Sequence, residues 1–516
     1  MSIALVKKLR FFSLVILLLC YNAYAQEDTH STKPLQINTA ALTQLYGNDA
    51  NYLWLKSRQY TNQTHDAMEF ISSAITHGLD PINYHYDLLE YLDPESDPKQ
   101  AQQFDLLLSD GLLKLMQDIA IGRRNPVDTD PEWKIPRAKF DGIAYLQQAL
   151  INKNFKQQLD ALSPTLAEYQ ILGSAHARYQ TYVDKGGWSG IPEIPLLNPG
   201  DRHASIPAIR ARLAVTNNAL VHTNKAQRFY DPVLVEAVKQ FQHRHGLKRD
   251  GIIGSETRSA MNVPAQHRLE QIELNLDRLR WLPRNLGSRY VLVNIPNYNL
   301  SAIEDGKTKL DMRVIVGQQK RPTPSFASQM SHLVFNPYWN VPNKLARLDL
   351  LPKQQADRSY FYLRDIRVYH TGEAHDELDP YSIDWHSVSK RHFPYTLRQD
   401  PGDHNALGKI KFVMPNQWSI YLHDTPKKSL FQEAQRNFSS GCIRVEDPDA
   451  LALFSLANSP QQSSISDAIA SGENHWHKLK DPINVYTTYF TAWADKDGFI
   501  FAPDSYKRDH HHAKQL

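Results

Sequence analysis

The chain has 516 residues, of which 41% are hydrophobic and 22% are charged. At about 100–200 residues per domain, this length indicates two to four domains, and the composition excludes a disordered chain or a miniprotein stapled by disulfides. Lys and Arg number 58 against 55 Asp and Glu, which gives a net charge of +3. Bulk charge therefore does not favour a nucleic-acid-binding protein.

The first 25 residues have the pattern of a secretory signal peptide. A basic segment that ends at Arg10 precedes an apolar run at 11–20, and an Ala-x-Ala cleavage motif ends at Ala25. We expect export and cleavage after Ala25, with no membrane span in the mature chain, because the run is shorter than the ~20 residues of a spanning helix. The alternatives are a retained membrane anchor and a lipoprotein anchored through Cys20.

Residues 26–190 are predicted to form a helical domain. An apolar stripe from Leu112 to Ile119 marks one helix, and Ser163 followed by Pro164 predicts the start of a second helix that ends at a Gly-Gly pair. We interpret both stripes as faces of a core.

A proline-rich linker at 188–200 leads into a compact helical unit at 200–265. A helix is predicted from Asp231 to Gly246, followed by a turn and a short helix that Ser255 caps. The residues alone fit either a helix-turn-helix nucleic-acid module or a small extracellular binding module, and the predicted export favours the second. The unit resembles the peptidoglycan-binding type 1 module at Ala237, Val238, Phe241, Gln242, Gly246, Leu247, Asp250, Gly251, Gly254 and Thr257.

From residue 289 the pattern changes from helices to strands. Strands are predicted at 289–295, 299–304, 308–316, 332–335 and 418–423, with a hairpin turn at Asp305-Gly306. A long polar and aromatic insertion at 344–402 interrupts them. We interpret it either as a lid or binding loop or as a plain surface insertion.

The chemistry is predicted to reside in two short segments of this β-rich region. In the segment 418–423, strand alternation directs two aliphatic residues to the core and places Tyr421 and His423 together on the opposite face. The segment 439–445 holds Cys442, the one cysteine that remains after signal cleavage. The small residues before Cys442 allow close approach of the backbone to a ligand, and their N–H groups suit an oxyanion hole.

A thiol needs a nearby base or cation to act as a nucleophile at neutral pH, and His423 and Arg444 are the candidates. The alternatives are a buried, inert cysteine and a metal site. His423 and Cys442 supply two of the three or four ligands that zinc usually takes, so no metal is predicted. The histidines at 510–512 are interpreted as a solvated tail.

The segments 421–425 and 439–444 resemble the signature of the L,D-transpeptidases with a YkuD-type catalytic domain. Many members of this family have His directly before the Gly-Cys pair, where this chain has Ser440, so the polar contact of that imidazole is missing. The similarity to large multidomain members extends to the segments 317–324, 336–342, 401–408 and 489–493.

The resemblance implies a multidomain α+β fold. A helical N-terminal region and a small helical peptidoglycan-binding module would precede a mainly-β YkuD-type catalytic domain at 289–458, with 344–402 as a capping insertion and 459–516 as a C-terminal extension packing on the catalytic or scaffold region. It also implies a bacterial enzyme of cell-wall biosynthesis in the periplasm or cell envelope. No metal and no organic cofactor would be needed.

The implied reaction is L,D-transpeptidation of peptidoglycan. Cys442 would form a thioester with a tetrapeptide stem, release D-alanine and pass the acyl group to the diaminopimelate amine of a second stem, giving a 3-3 cross-link, with His423 moving the protons. The N–H groups of Gly441 and Cys442 and the Tyr421 hydroxyl would hold the oxyanion. Arg444 would favour the thiolate or hold a carboxylate. The further pocket candidates are Ser440, Trp339 and Asn405.

The implied partners are peptidoglycan stem peptides, together with D,D-carboxypeptidases and glycan synthases, and carbapenems would acylate Cys442. Two other functions stay open at this point. One is an L,D-carboxypeptidase or endopeptidase that uses the same Cys–His pair with water as the acceptor. The other is a non-catalytic wall-binding protein built on the 200–265 module.

Overall fold

The computed structural model describes residues 36–47, 51–220, 226–372, 376–457, 462, 465–495 and 498–509, so the predicted signal peptide and the histidine tail lie outside the described residues. The chain divides into two compact units. The first comprises Met1–Thr129, Pro136–Arg284 and Ala492–Phe501, and the second comprises Asp130–Ile135, Asn285–Thr491 and Ala502–Leu516. Within the described ranges, we find no helix with the length and apolar character needed to cross a membrane.

The first unit is mainly helical. Its helices are α1 (Thr39–Tyr46), α2 (Asn62–Ser72), α3 (Tyr86–Tyr91), α4 (Pro98–Ile121), α5 (Pro126–Thr129), α6 (Gly142–Ile151), α7 (Phe155–Asp160), α8 (Ala167–Asp184), α9 (Ile206–Ala214), α10 (Pro232–Arg244), α11 (Ser255–Met261) and α12 (Ala265–Arg280). A short hairpin of β1 (Leu55–Lys56) and β2 (Gln59–Tyr60) lies between α1 and α2.

The predicted stripe on α4 is confirmed as a core face. Its residues from Leu112 to Ile119 include Leu115 and Met116, which are fully buried in the core that the first helices share. Asp97 caps the start of α4 by accepting a hydrogen bond from the Lys99 N–H at 2.8 Å.

Two predicted helix caps are wrong. The helix expected to start at Ser163 begins at Ala167, because residues 164–166 carry no helical structure and Leu166 occupies the N-cap position without a side-chain hydrogen bond. Ser255 is the first residue of α11, and Gly254 occupies its cap position.

The module at 200–265 has its own core, which one polar side chain organises. The Gln242 amide accepts the Gly251 N–H at 2.8 Å and donates to the Ile252 carbonyl at 2.9 Å and the Thr257 hydroxyl at 3.2 Å. These bonds link α10 to the following turn and to α11. They give a structural reason for the Gln, Gly and Thr positions of the module's sequence pattern.

The second unit is built on a barrel and carries the mainly-β part of the predicted α+β fold, which is confirmed. Its strands are β3 (Arg289–Asn294), β4 (Asn299–Glu304), β5 (Lys307–Ile315), β6 (Ala327–Phe335), β7 (Trp339–Asn340), β8 (Ile366–His370), β9 (Glu377–Leu378), β10 (Tyr395–Gln399), β11 (Ile410–Val413), β12 (Leu422–His423), β13 (Ile443–Val445) and β14 (His475–Thr488). Its helices are α13 (Asn343–Leu345), α14 (Leu351–Ala356), α15 (Pro448–Ser455) and α16 (Ile465–Ala470).

Eight strands close the barrel in the order β11-β12-β13-β5-β4-β3-β14-β6. The predicted hairpin between β4 and β5 is confirmed, and Asp305 and Gly306 have positive φ angles of 49° and 71°, as a tight two-residue turn requires. The barrel extends beyond the expected boundary at residue 458. Strand β14 pairs in parallel with β3 and antiparallel with β6, so the barrel closes only when it is included.

The insertion folds as a subdomain of the second unit. Its four-stranded sheet has the order β7-β10-β8-β9, and α13 continues through a π-helical turn at Ala346–Leu350 into α14. A separate apolar core lies beneath this sheet, with Phe361, Val368, Trp385 and Leu397 among its buried members. The insertion therefore has its own folded core rather than being a structureless loop.

The first unit is completed by a hairpin from the end of the chain, β15 (Ala492–Asp495) and β16 (Gly498–Phe501). The buried Phe501 ring lies 5.4 Å from the ring of Tyr179 on α8 and 4.5 Å from the Arg268 guanidinium on α12. This hairpin therefore packs on helices that precede it by more than 200 residues in the sequence.

Candidate active site

The barrel register brings the predicted site residues to one face. Phe412 on β11 pairs with Leu422 on β12, which pairs in turn with Ile443 on β13, and all three side chains lie in the barrel core. Because side chains alternate along a strand, their sequence neighbours point out of the barrel. These neighbours are Lys411, Tyr421, His423, Cys442 and Arg444.

Tyr421 and His423 lie on the same face, with their ring centres 5.6 Å apart. The strand that carries them is shorter than expected, because β12 contains only two residues and Ser419 has a φ of 54°. Asn416 shapes the preceding turn by donating to the Ile420 carbonyl at 2.6 Å. Cys442 directly precedes Ile443 and so lies level with Tyr421 across the parallel pair.

The loop before Cys442 is fixed by its own hydrogen bonds. Gly441 has a φ of +121°, a conformation that side chains disfavour, and its N–H donates to the Ser439 hydroxyl at 3.1 Å. The same hydroxyl donates to the Cys442 carbonyl at 2.6 Å. Within the described chain, the Cys442 N–H has no acceptor, whereas the Gly441 N–H is already occupied. The free donor for an oxyanion is therefore the Cys442 N–H.

A second loop, residues 317–323, forms hydrogen bonds with residues 439–441. The Gln318 N–H donates to the Ser439 carbonyl at 2.9 Å, and the Thr323 hydroxyl donates to the Gly441 carbonyl at 2.7 Å. A Cβ at Gly317 would collide with the Arg321 carbonyl, so the turn needs glycine. Backbone and side-chain bonds together hold the loop that presents Cys442.

Arg321 connects the nucleophile loop to the insertion. Its guanidinium donates to the Ser440 hydroxyl at 2.9 Å and binds both carboxylate oxygens of Asp349 at 2.5 and 2.8 Å. Asp349 lies in the π-helical turn of the insertion. Ser440 thus has a cationic partner, and Arg321 was not predicted from the sequence because nothing in its spacing indicates this contact.

His423 is 4% exposed, and its Nδ1–H donates to the Asp424 carbonyl at 2.5 Å. Burial, followed by repulsion from Arg444, lowers the pKa of His423 to about 3. The imidazole is therefore neutral near pH 7. Hydrogen bonds to the backbone of Asp424 and Leu407 orient the ring, and the sequence could not identify them.

The Asp424 carboxylate shapes a neighbouring loop. Its Oδ2 accepts the Lys409 N–H at 2.8 Å, and its Oδ1 lies 2.7 Å from the Lys428 ammonium. Gly408 has a φ of +63° and has no room for a side chain, because a Cβ would collide with this carboxylate. The carboxylate therefore holds the 408–409 turn against the strand that carries His423.

Tyr421 contacts the thiol directly. Burial raises the pKa of Tyr421, as do the charge of the Cys442 thiolate and the hydrogen bond between the two groups, while a hydrogen bond from Trp339 opposes the shift. The Lys411 ammonium lies 4.1 Å from the centre of the Tyr421 ring. Trp339 thus contacts the site through its hydrogen bond with the Tyr421 hydroxyl.

The pKa of the Cys442 thiol is raised above its ordinary value, because burial outweighs the groups that stabilise the thiolate. Those groups are the N–H and hydroxyl of Tyr421 and the cations Lys411 and Arg444. Lys411 was not among the residues expected from the sequence, because only its pairing with His423 in the barrel register places it there. The resting site therefore has a neutral imidazole and a neutral thiol, and the thiol donates to the Ser419 carbonyl at 3.8 Å.

Asn405 lies at the edge of this region with its polar atoms fully engaged. Its side-chain amide donates to the Pro337 and Asp400 carbonyls at 2.9 Å each, and its oxygen accepts the Leu407 N–H at 2.8 Å. It therefore orders a loop and turns no polar atom toward Cys442. Among the described residues, no three His, Cys, Asp or Glu side chains are grouped to hold a metal ion.

Comparison with known protein families shows which family models match the barrel and the helical regions before it. Residues 288–485 match the YkuD family model, described as "L,D-transpeptidase catalytic domain". This part of the chain is similar to that family, and the match covers less than half of the chain. Two further models match outside it: "Scaffold domain" at 40–175 and "Putative peptidoglycan binding domain" at 203–261.

A curated relative from Haemophilus influenzae, named "Putative L,D-transpeptidase", is 38% identical over 241 residues. The match covers 46% of this chain and 48% of the relative, so it spans about half the length of that protein. Solved L,D-transpeptidase structures are also similar. The one from Xylanimonas cellulosilytica has 15% identity, covers 57% of this chain and 98% of its own and has a TM-score of 0.18. The one from Stackebrandtia nassauensis has 12% identity, covers 58% of this chain and 95% of its own, and has a TM-score of 0.23.

Proposed function

We propose that this protein is a peptidoglycan L,D-transpeptidase that forms 3-3 cross-links in the bacterial cell envelope. The observation that carries the proposal is the parallel pairing of β12 and β13, which sets Cys442 level with Tyr421 and two residues before His423 on the outer face of the barrel. The peptidoglycan-binding module supports the choice of substrate. A mature chain exported past its signal peptide would meet that substrate.

In the acylation step, the Cys442 sulfur attacks the carbonyl of the L-centre of diaminopimelate in a tetrapeptide stem. The thiol proton passes to His423, whose imidazole is neutral and oriented by the Asp424 carbonyl. The Cys442 N–H and the Tyr421 hydroxyl hold the oxyanion. The imidazolium then protonates the departing D-alanine amine, and a thioester remains on Cys442.

In the second step, the side-chain amine of an acceptor diaminopimelate attacks this thioester. His423 removes the proton of the attacking amine and returns it to the departing sulfur, so the enzyme regains its starting protonation state. Because thiol and imidazole are both neutral at rest, the first step is general-base catalysis rather than attack by a preformed thiolate.

The test is to incubate the mature chain with disaccharide-tetrapeptide, beside a Cys442→Ala control, and to measure products by intact mass. A dimeric muropeptide formed with loss of D-alanine, absent in the control, is the expected result. Tripeptide without dimer would replace the proposal with an L,D-carboxypeptidase, in which water takes the acyl group. No product that depends on Cys442 would overturn the catalytic function and leave a wall-binding protein.

The same mechanism extends to inhibitors and partners. A carbapenem β-lactam should acylate Cys442 and add its whole mass, since ring opening releases no leaving group. D,D-carboxypeptidases would supply the tetrapeptide donors, and glycan synthases would supply the strands to be joined.

A further inference from the structure

The peptide unit between Gly441 and Cys442 carries both the carbonyl that Thr323 binds and the N–H that is free to hold an oxyanion. The Thr323 hydroxyl donates to the Gly441 carbonyl at 2.7 Å. Within the described part of the chain, no other group donates to this carbonyl. Because a trans peptide unit is planar and its C=O and N–H point in opposite directions, this bond also sets the direction of the Cys442 N–H.

Gly441 makes an external restraint on this peptide unit necessary. Its φ of +121° lies in a region that favours glycine, and a glycine leaves the adjoining peptide units more rotational freedom than any other residue does. Rotation of the unit about the line between its two Cα atoms would turn the Cys442 N–H away while the Cα atoms stayed in place. The hydrogen bond from Thr323 opposes that rotation.

Thr323 is fully buried, and each of its polar groups has a partner. Its hydroxyl accepts the Gly317 N–H at 3.0 Å, its N–H donates to the Tyr506 hydroxyl at 3.4 Å, and its carbonyl accepts from the Arg508 guanidinium at 2.9 Å. The Tyr506 hydroxyl in turn donates to the Gly317 carbonyl. Tyr506 and Arg508 therefore hold the backbone of Thr323, whose hydroxyl is directed at the nucleophile loop.

Tyr506 and Arg508 belong to the C-terminal segment 502–509, which is part of the second unit. The Tyr506 ring stacks on the ring of Tyr489, with their centres 5.6 Å apart. The Asp504 carboxylate accepts the Tyr489 hydroxyl at 2.7 Å and the Arg508 N–H at 2.8 Å. The C-terminal segment is thus fixed to the end of β14 by its own contacts, and it can serve as a support for Thr323.

We infer that Thr323 is a positioning residue for the oxyanion donor of Cys442, and that the C-terminal segment supports it through Tyr506. The inference rests on the proposed function in one respect, because it takes Cys442 to be acylated through a tetrahedral intermediate. Without the Thr323 hydroxyl, the Cys442 N–H loses its fixed direction, whereas the thiol keeps its place beside β13. Acyl transfer should then slow, and reactions of the thiol that form no oxyanion should not.

The experiment compares two reactions of Cys442 in the mature chain, each followed by intact mass. In acylation by p-nitrophenyl acetate, the sulfur bonds to the carbonyl carbon, nitrophenolate leaves with the bonding electrons, and the thiol proton passes to His423. In alkylation by iodoacetamide, the sulfur displaces iodide at a saturated carbon, so no oxyanion forms. The ratio of the two rates therefore isolates the oxyanion donor from the reactivity of the thiol.

Thr323→Val removes the hydroxyl and keeps the shape of the side chain. It should slow acylation about tenfold or more, while alkylation changes by less than about twofold. Thr323→Ser keeps the hydroxyl and should recover most of the acylation rate. With disaccharide-tetrapeptide, Thr323→Val should lower kcat for D-alanine release and leave KM nearly unchanged, because the lost contact forms only in the transition state.

Tyr506→Phe should slow acylation in the same selective way by a smaller factor, and it decides the question if Thr323→Val does not fold. The matched control is Thr488→Val, at a fully buried position whose hydroxyl donates to the Val293 carbonyl at 3.1 Å, and it should leave both rates unchanged. Equal slowing of both reactions in the Thr323 and Tyr506 variants, or unchanged acylation, would overturn the inference. Selective loss of acylation in a protein that releases no D-alanine would instead reject the proposed function alone.

Discussion

At the level of single residues, burial raises the pKa of the Cys442 thiol and nearby cations lower it. A substitution of Lys411 isolates the effect of one of these cations. Replacing it by methionine keeps the length of the side chain and removes its charge. Because Lys411 lowers the pKa of Cys442, the variant should raise that pKa. Alkylation by iodoacetamide, followed by intact mass across pH, measures the midpoint.

The sign of this effect is definite. A higher thiol pKa leaves less thiolate at any pH below the midpoint, so Lys411→Met should be alkylated more slowly at pH 8 than the parent protein. Lys309→Met removes a charge from an exposed strand position and serves as the control. An unchanged midpoint in Lys411→Met would mean that its ammonium does not act on the sulfur.

At the level of elements, the Arg321–Asp349 contact ties the loop before Cys442 to the insertion. Arg321→Lys keeps the positive charge, but an ammonium lacks the planar fork with which the guanidinium binds both Asp349 oxygens while it donates to Ser440. The nucleophile loop should lose its alignment, and kcat for D-alanine release should fall about tenfold. Because the pair is partly exposed, the free energy of unfolding should change by less than about 1 kcal/mol.

The control for this prediction lies in the same insertion. Arg367 on β8 also binds two carboxylates, Glu377 and Asp400, but it has no contact with the nucleophile loop. Arg367→Lys should therefore leave kcat unchanged. Equal losses of kcat in the two variants would show that the insertion needs only its own ion pairs, and that Arg321 has no special position.

The secondary-structure elements also show which features of the fold the sequence alone predicts. The β4–β5 hairpin and α10 were predictable because an Asp-Gly turn and an Asp-Pro helix start are local signals. Strand β14 was missed because Asp481 and Pro482 interrupt it where its pairing is irregular, and because its partners β3 and β6 lie more than 120 residues away. The predicted cap at Ser163 failed because the chain stays non-helical up to Leu166.

The candidate site divides in the same way. Tyr421, His423 and Cys442 could be proposed from alternation and a family signature, since each lies in a short contiguous motif. Lys411 and Arg321 could not, because a strand register and a loop-to-insertion contact bring them there. The carbonyl that orients His423 belongs to the backbone, so the residue types of the sequence do not predict it.

At the level of the whole molecule, the second unit includes a short segment from the helical part of the chain. In Asp130–Ile135, the Lys134 N–H donates to the Ser325 carbonyl at 2.6 Å and the Ser325 N–H donates to the Glu132 carbonyl at 3.1 Å. Trp133 lies between these bonds, is 2% exposed and has its ring 6.3 Å from the ring of Phe490. The barrel unit is therefore incomplete in a fragment that begins at residue 285.

Trp133→Ala tests this dependence in the full chain. Removing a buried aromatic side chain should cost about 3–5 kcal/mol of the free energy of unfolding of the second unit, because the lost contacts cannot be refilled. Trp476→Ala, at a position on β14 that is 57% exposed, should cost less than about 1 kcal/mol. Urea unfolding followed by tryptophan fluorescence and by Cys442 accessibility would report on the second unit in particular. If both variants unfolded at the same urea concentration as the parent, the segment 130–135 would merely rest on the barrel, and the barrel would be stable without it.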